Sequence, residues 1–146
     1  MASVVRYTGL APQVVEIQEA AAGTANDFYD GDCVKIDTSG ELVIATAGAI
    51  QGIAQKAATG TASTKIPIEL IDVHEIYVAR YKASAIGETL IGDILDFTFT
   101  AGAHTLDESG ATTDVYCVGT HPNDGTDTGG RLLVRFLGTL LTGTGT

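Results

Sequence analysis

Apolar and polar positions alternate with a period of two along most of this chain, a pattern that predicts short β-strands rather than helices. The clearest stretch is 75–82, where Ile76, Val78 and Arg80 alternate with Tyr77, Ala79 and Tyr81. Successive strand side chains point to opposite faces, so such a segment presents two different surfaces. Further strands are predicted at 14–18, 28–37, 41–46, 50–56, 66–71, 93–100, 104–107, 114–120 and 131–141. Thr38-Ser39-Gly40 supplies hairpin-turn chemistry between two of them. Pro67 has no N–H to give a ladder and is expected on an edge. One short helix at most is predicted, over 84–91, with Ser84 as its cap and Glu88 in its first turn, although Gly87 weakens it. The fold class is therefore all-β, a compact barrel-like or sandwich-like domain of short antiparallel strands. Residues 1–26 read as an extended N-terminal arm and first strand, 27–141 as the β domain, and 142–146 as a flexible tail.

A four-step motif reads twice along the chain. Gly31-Asp32-Cys33-Val34, Gly40-Glu41-Leu42, Gln51-Gly52-Ile53-Ala54 and Ile66-Pro67-Ile68-Glu69-Leu70 form the first pass. Gly92-Asp93-Ile94-Leu95, Ala103-His104-Thr105-Leu106, Val118-Gly119-Thr120 and Leu132-Leu133-Val134-Arg135-Phe136 form the second. The offsets are 61 residues from Gly31 to Gly92, 64 from Leu42 to Leu106, 67 from Gly52 to Gly119 and 66 from Ile66 to Leu132. They predict repeats over 31–71 and 92–137 that pair into a barrel-like body and hide each other's edges. Gly31, Asp32, Gly40, Gly52, Gly92, Asp93 and Gly119 are the expected structural turn positions. Glycine permits the sharp turn, and an aspartate after it can accept backbone N–H groups within the turn. That structural task suffices for Asp32 and Asp93, and no His or Lys partner near either in sequence favours acid/base chemistry.

Composition narrows the function classes. A chain of 146 residues with 45% hydrophobic residues buries a core without metal or disulfide support. No apolar run approaches the ~20 residues of a membrane span, and Met1 to Arg6 lead into no signal-like apolar stretch, so neither membrane association nor export is expected. The net charge is −10, with nine acidic residues before His74 and nine after it, and the eight basic residues are scattered. Direct nucleic-acid binding is therefore not expected. Cys33 and Cys117 are expected to be buried and reduced, as in a cytosolic protein. His74, His104 and His121 form no short-spaced ligand pair with them, so no metal or other cofactor is predicted. The oxygen-rich 123–130 stretch lacks the spaced glutamate of a calcium loop and reads as a hairpin loop, while 60–65 lacks the Gly-Lys-Ser/Thr ending of a phosphate loop. No Gly-x-Ser-x-Gly elbow is present, and an enzyme is not expected.

Gly31-Asp32-Cys33-Val34-Lys35-Ile36-Asp37, Gly40-Glu41-Leu42-Val43 and Ile50-Gln51-Gly52-Ile53-Ala54 resemble the head-decoration, or capsid cement, proteins of tailed bacteriophages. Those chains recurrently show a Gly-Asp-x-Val strand, a turn, and a Gly-Ile-Ala or Gly-Val-Ala strand. The resemblance covers residues 28–137, and the second half departs from it with a longer 107–114 insertion and Val118-Gly119-Thr120 in place of Gly-Ile-Ala. It implies a β-rich, often trimeric virion protein, assembled in the host cytoplasm, that binds the exterior of the expanded capsid and bridges subunits of the major capsid protein. The arm with Val4, Val5, Arg6, Tyr7 and Leu10 is the expected capsid contact, through strand addition to an exposed edge. Two other readings are a tail-tube or head-completion protein and a carbohydrate-binding β-sandwich, the latter disfavoured by the absence of tryptophan.

Overall fold

A computed structural model of the chain describes residues 4–9, 12–20, 28–45, 50–61, 64–98, 104–108 and 114–137. Eleven strands account for the regular structure of these residues: β1 Val4–Arg6, β2 Val14–Gln18, β3 Cys33–Ile36, β4 Leu42–Ile44, β5 Gly52–Ala54, β6 Lys65–Leu70, β7 Tyr77–Arg80, β8 Ile94–Thr98, β9 Thr105–Asp107, β10 Val115–Thr120 and β11 Arg131–Phe136. They form two antiparallel sheets, a six-stranded one in the order β1-β7-β11-β10-β8-β9 and a five-stranded one in the order β2-β6-β5-β3-β4. The protein is all-β, and the two sheets do not merge into one closed barrel. The expected 84–91 helix contracts to a single 3₁₀ turn, Glu88–Leu90. Ala85 is bridged to Thr128, and Ile86 N–H donates to Asp127 O, which holds the start of the segment extended.

Strands β2–β6 and β7–β11 follow the same path. Within each group the first strand pairs with the fifth, the fifth with the fourth, the fourth with the second and the second with the third. Each five-strand group also curls until its first and third strands in chain order meet at one bridge, Glu19 with Leu42 in the smaller sheet and Tyr81 with Leu106 in the larger. The turn into β3 and the turn into β8 are hydrogen-bonded alike. Gly31 and Gly92 have φ of 88° and 94°, a conformation that costs a side chain about 1–2 kcal/mol. Gly31 N–H donates to Ala54 O at 2.8 Å and Gly92 N–H to Cys117 O at 2.9 Å, while Ala54 and Cys117 N–H return bonds to the carbonyls of Asp32 and Asp93. Side-chain oxygens of Gln51 and Asp114 accept the N–H groups of Ile36 and Phe97 at matching places.

These contacts revise one alignment. The counterpart of Gly52 in β10 is Val115, since Gly52 faces Val34 and Leu70 whereas Val115 faces Leu95 and Phe136. Gly119 instead sits at a register shift in β10, where the strand bulges after Cys117. Pro67 is not on an edge, because β6 lies between β2 and β5. Its carbonyl accepts from Gln55 N–H, so its nitrogen faces β5 just past Ala54, where that strand ends and only the return bond to Gln55 is forgone.

Two hydrophobic clusters follow from the two faces of the smaller sheet. Phe28, Val34, Leu42, Ala54, Ile66 and Ile68 fill its inner face, with Ala58 of the 55–61 loop packed against them. Its other face carries Cys33 and Ile53, which join Tyr77, Leu95, Leu106, Leu132 and Val134 of the larger sheet in the main core. Backbone closes in on Gly52, where an added Cβ would lie 2.8 Å from the Glu69 carbonyl oxygen and 3.0 Å from Ile68 Cδ1. Gly52→Ala is expected to cost about 1–3 kcal/mol in urea denaturation. Gly87→Ala, at φ 179° with nothing within 4 Å of its Cβ position, should change stability by less than about 0.5 kcal/mol.

Candidate functional site

The segment expected as a free arm lies in the body of the protein. β1 pairs antiparallel with β7 along Val4, Val5 and Arg6, opposite Ala79, Val78 and Tyr77. Val4 is 2% exposed and its N–H donates to Gly31 O at 3.0 Å, so the strand spans both sheets. A segment with its first anchor in the core does not act as a detached arm. Arg6 Nη1 lies 3.8 Å from Glu69 Oε2 and 3.4 Å from Tyr77 Oη. Burial pushes the Glu69 carboxyl above its ordinary value, and the Arg6 charge opposes that shift. The bond with Tyr77 raises Arg6 in turn. Val5 and Tyr7 remain exposed, and Leu10 lies outside the described residues.

The two Gly-Asp units have matching backbones, but their aspartates lie in different surroundings. Asp32 is fully buried; its Oδ2 accepts Tyr29 N–H at 2.9 Å and its Oδ1 lies 3.1 Å from Nδ1 of His104, itself enclosed. Asp32 belongs to the first five-strand unit and His104 to the second, so this contact joins the units at a point sealed from solvent. Cys33 lies in the same interior, where desolvation first and the charges of Asp32 and Asp114 second push its thiol well above the ordinary value. Burial raises the Cys117 thiol too, and neither cysteine is disulfide-bonded. A thiol kept protonated is a poor nucleophile, and an enclosed His–Asp contact has no open side for a substrate. Asp93, by contrast, is exposed.

Two other polar groups tie down loops. Glu19, 1% exposed, accepts from the N–H groups of Thr59 and Gly60 and from the Thr59 hydroxyl, which fastens the 55–61 loop over the smaller core. Glu19 was legible in principle: continuing the alternation of Val15 and Ile17 puts it on the inward face. Asp124, in the oxygen-rich 123–130 stretch, accepts from Arg131 through its backbone N–H, Nε and Nη2 at 2.6, 2.9 and 2.6 Å. His74 is exposed, and His121 packs edge-on against Tyr7 at 5.9 Å. Among the described residues no group of three His, Cys, Asp or Glu is placed to hold a metal ion, and no helix is long and apolar enough to cross a membrane.

The remaining candidate is a surface. The outer face of the larger sheet exposes Val5, Ile94 and Tyr116, with partly exposed Val78 and Leu133 between them. Three of the four arginines, Arg80, Arg131 and Arg135, lie on the same face by strand alternation. Arg80 and Arg131 are engaged with Gly129 O and Asp124, whereas Arg135 has no ion pair among the described residues.

Removing the enclosed carboxylate takes a partner from His104 and from the Tyr29 N–H, so Asp32→Ala should cost about 3 kcal/mol in denaturant unfolding. Asp93→Ala should stay within about 0.5 kcal/mol. The Arg131 guanidinium holds the Asp124 carboxyl well below the usual carboxylate range. A depressed folded value stabilises above the unfolded pKa of about 4 and loses that contribution as pH falls toward the folded value. Asp124→Asn should therefore unfold more easily than the parent at neutral pH and converge with it in strong acid, as read by thermal melts across pH. No family model, curated protein or solved structure matches this chain.

Proposed function

We propose that this protein is a structural component of a virus particle that decorates the outside of a mature phage head. It binds as a trimer and stabilises the shell by bridging subunits of the major capsid protein. The observation that carries the reading is the exposed apolar face of the six-stranded sheet, with Val5, Ile94 and Tyr116 in the open on a protein of net charge −10. Contiguous exposed apolar surface on a folded domain marks an interaction site. The resemblance of the Gly31–Asp37 and Ile50–Ala54 motifs to cement proteins supplies the partner class. A capsid filled with DNA is under outward load, and many symmetry-related clamps add small stabilisations multivalently. A rigid double-sheet body suits that task, since a clamp has to transmit load without yielding. The high acidity keeps an abundant free protein soluble until it meets the shell.

The test mixes purified protein with expanded, undecorated phage shells and follows co-sedimentation and heat resistance. Saturable binding with a raised temperature of shell disruption is expected. Failure to bind any mature shell, or rings of the isolated protein in negative stain, would overturn the proposal.

A further inference from the structure

The two five-strand units have equivalent outer faces, and among the described residues only one of them is covered. On the smaller sheet the row Gly31, Ile53, Glu69 is overlain by β1: Val4 is buried, its N–H donates to Gly31 O, and Arg6 Nη1 stands 3.8 Å from Glu69 Oε2. β1 thereby lays an apolar residue and, two positions on, a charge complementary to the face beneath it. The counterparts on the larger sheet are Gly92, Tyr116 and Arg135, since Ile53 pairs with Cys33 and Glu69 as Tyr116 pairs with Ile94 and Arg135. Here Tyr116 and neighbouring Ile94 are 41% and 49% exposed. An open cleft of about 330 Å³ begins at Tyr116 and Arg135 and is further lined by Val73, His74, Phe136 and Leu137.

We infer that this cleft is a docking site for an extended segment of another protein chain that carries an apolar residue and, two residues further on, a carboxylate. The charge assignment comes from the internal comparison. Arg135 stands where Glu69 stands, so the charge that Arg6 supplies in the covered copy is inverted in the occupant of the open one. Arg135 has no ion pair among the described residues and is free to grip a carboxylate with two parallel N–H bonds. Tyr116 provides the flat apolar floor that Ile53 provides in the covered row. The site stands on this geometry alone, whether or not the protein decorates capsids.

The test is an NMR titration of the full ¹⁵N-labelled chain with two synthetic peptides, a copy of residues 2–9 and the same copy carrying Arg6→Glu. The acidic copy should give saturable shifts centred on Ile94, Tyr116 and Arg135, and bind about tenfold more tightly than the basic one. Arg135→Glu should reverse that preference, and Tyr116→Ala should weaken both peptides; each variant alters an exposed or half-exposed side chain, and its own spectrum checks folding. Absence of saturable shifts, or a preference unchanged in Arg135→Glu, overturns the assignment. So do contacts between the Tyr116 ring and Leu140 or Leu141 in the free protein, which would give the cleft to the chain's own C-terminal residues. Self-association abolished by Tyr116→Ala would give it to a second copy and overturns it equally.

Discussion

Burial of the Cys33–Ile53 face of one sheet against the core of the other is the contact on which this structure depends. A five-stranded unit of some 60 residues encloses too little apolar surface to be secure alone. The smaller sheet has its own inner cluster, but Cys33 and Ile53 point away from it and are buried by β1 and the second unit. Burying such a side chain contributes about 1.5–3 kcal/mol for a residue the size of isoleucine. Asp32 and His104 sit at this junction, fully enclosed and 3.1 Å apart. Apolar contact supplies the bulk of the adhesion, and the polar pair restricts it to one alignment, since any sliding would leave both groups buried and apart.

Much of this was legible in the chain, because period-two alternation is a direct image of a sheet with two different faces. The strand segments and the all-β class follow from it. The offsets of 61, 64 and 66 residues coincide with structurally equivalent positions, Gly31 with Gly92, Leu42 with Leu106, and Ile66 with Leu132. The offset through Gly119 failed because glycine signals two different things. At Gly52 it marks a close backbone approach, while at Gly119 it marks a bulge, and the letter alone does not distinguish them. Pro67 misled for a related reason: its tolerance was set by where the neighbouring strand stops, which is a property of another segment.

The N-terminal strand and the candidate surface were the least visible. Val4-Val5-Arg6 is too short to show a period, and its burial depends on β7 and on the turn at Gly31, far away in sequence. The buried carboxylates follow the same rule. Asp32 and Asp93 occupy similar local motifs, and packing at the junction, where His104 meets Asp32, makes the first an interior group while the second stays in solvent. Local sequence specifies a turn, whereas tertiary packing decides what its side chain meets.

Repetition then makes the molecule its own reference. Where both units make the same contact, as in the Gly-Asp turns and the bonds from Gln51 and Asp114, the contact belongs to the requirements of the unit. Where they differ, the difference reflects position in the whole. The face bearing Ile53 and Glu69 is apolar because it is covered. The face bearing Tyr116 and Arg135 is also apolar, with no cover among the described residues, and stability of the isolated unit does not require an exposed Ile94 and Tyr116 there. A protein with eighteen acidic residues and eight basic ones has ample polar side chains for a solvated sheet face. That this face retains large apolar groups, with an arginine in the place of a glutamate, is the asymmetry that separates the part of the fold serving its own stability from the part available to a partner.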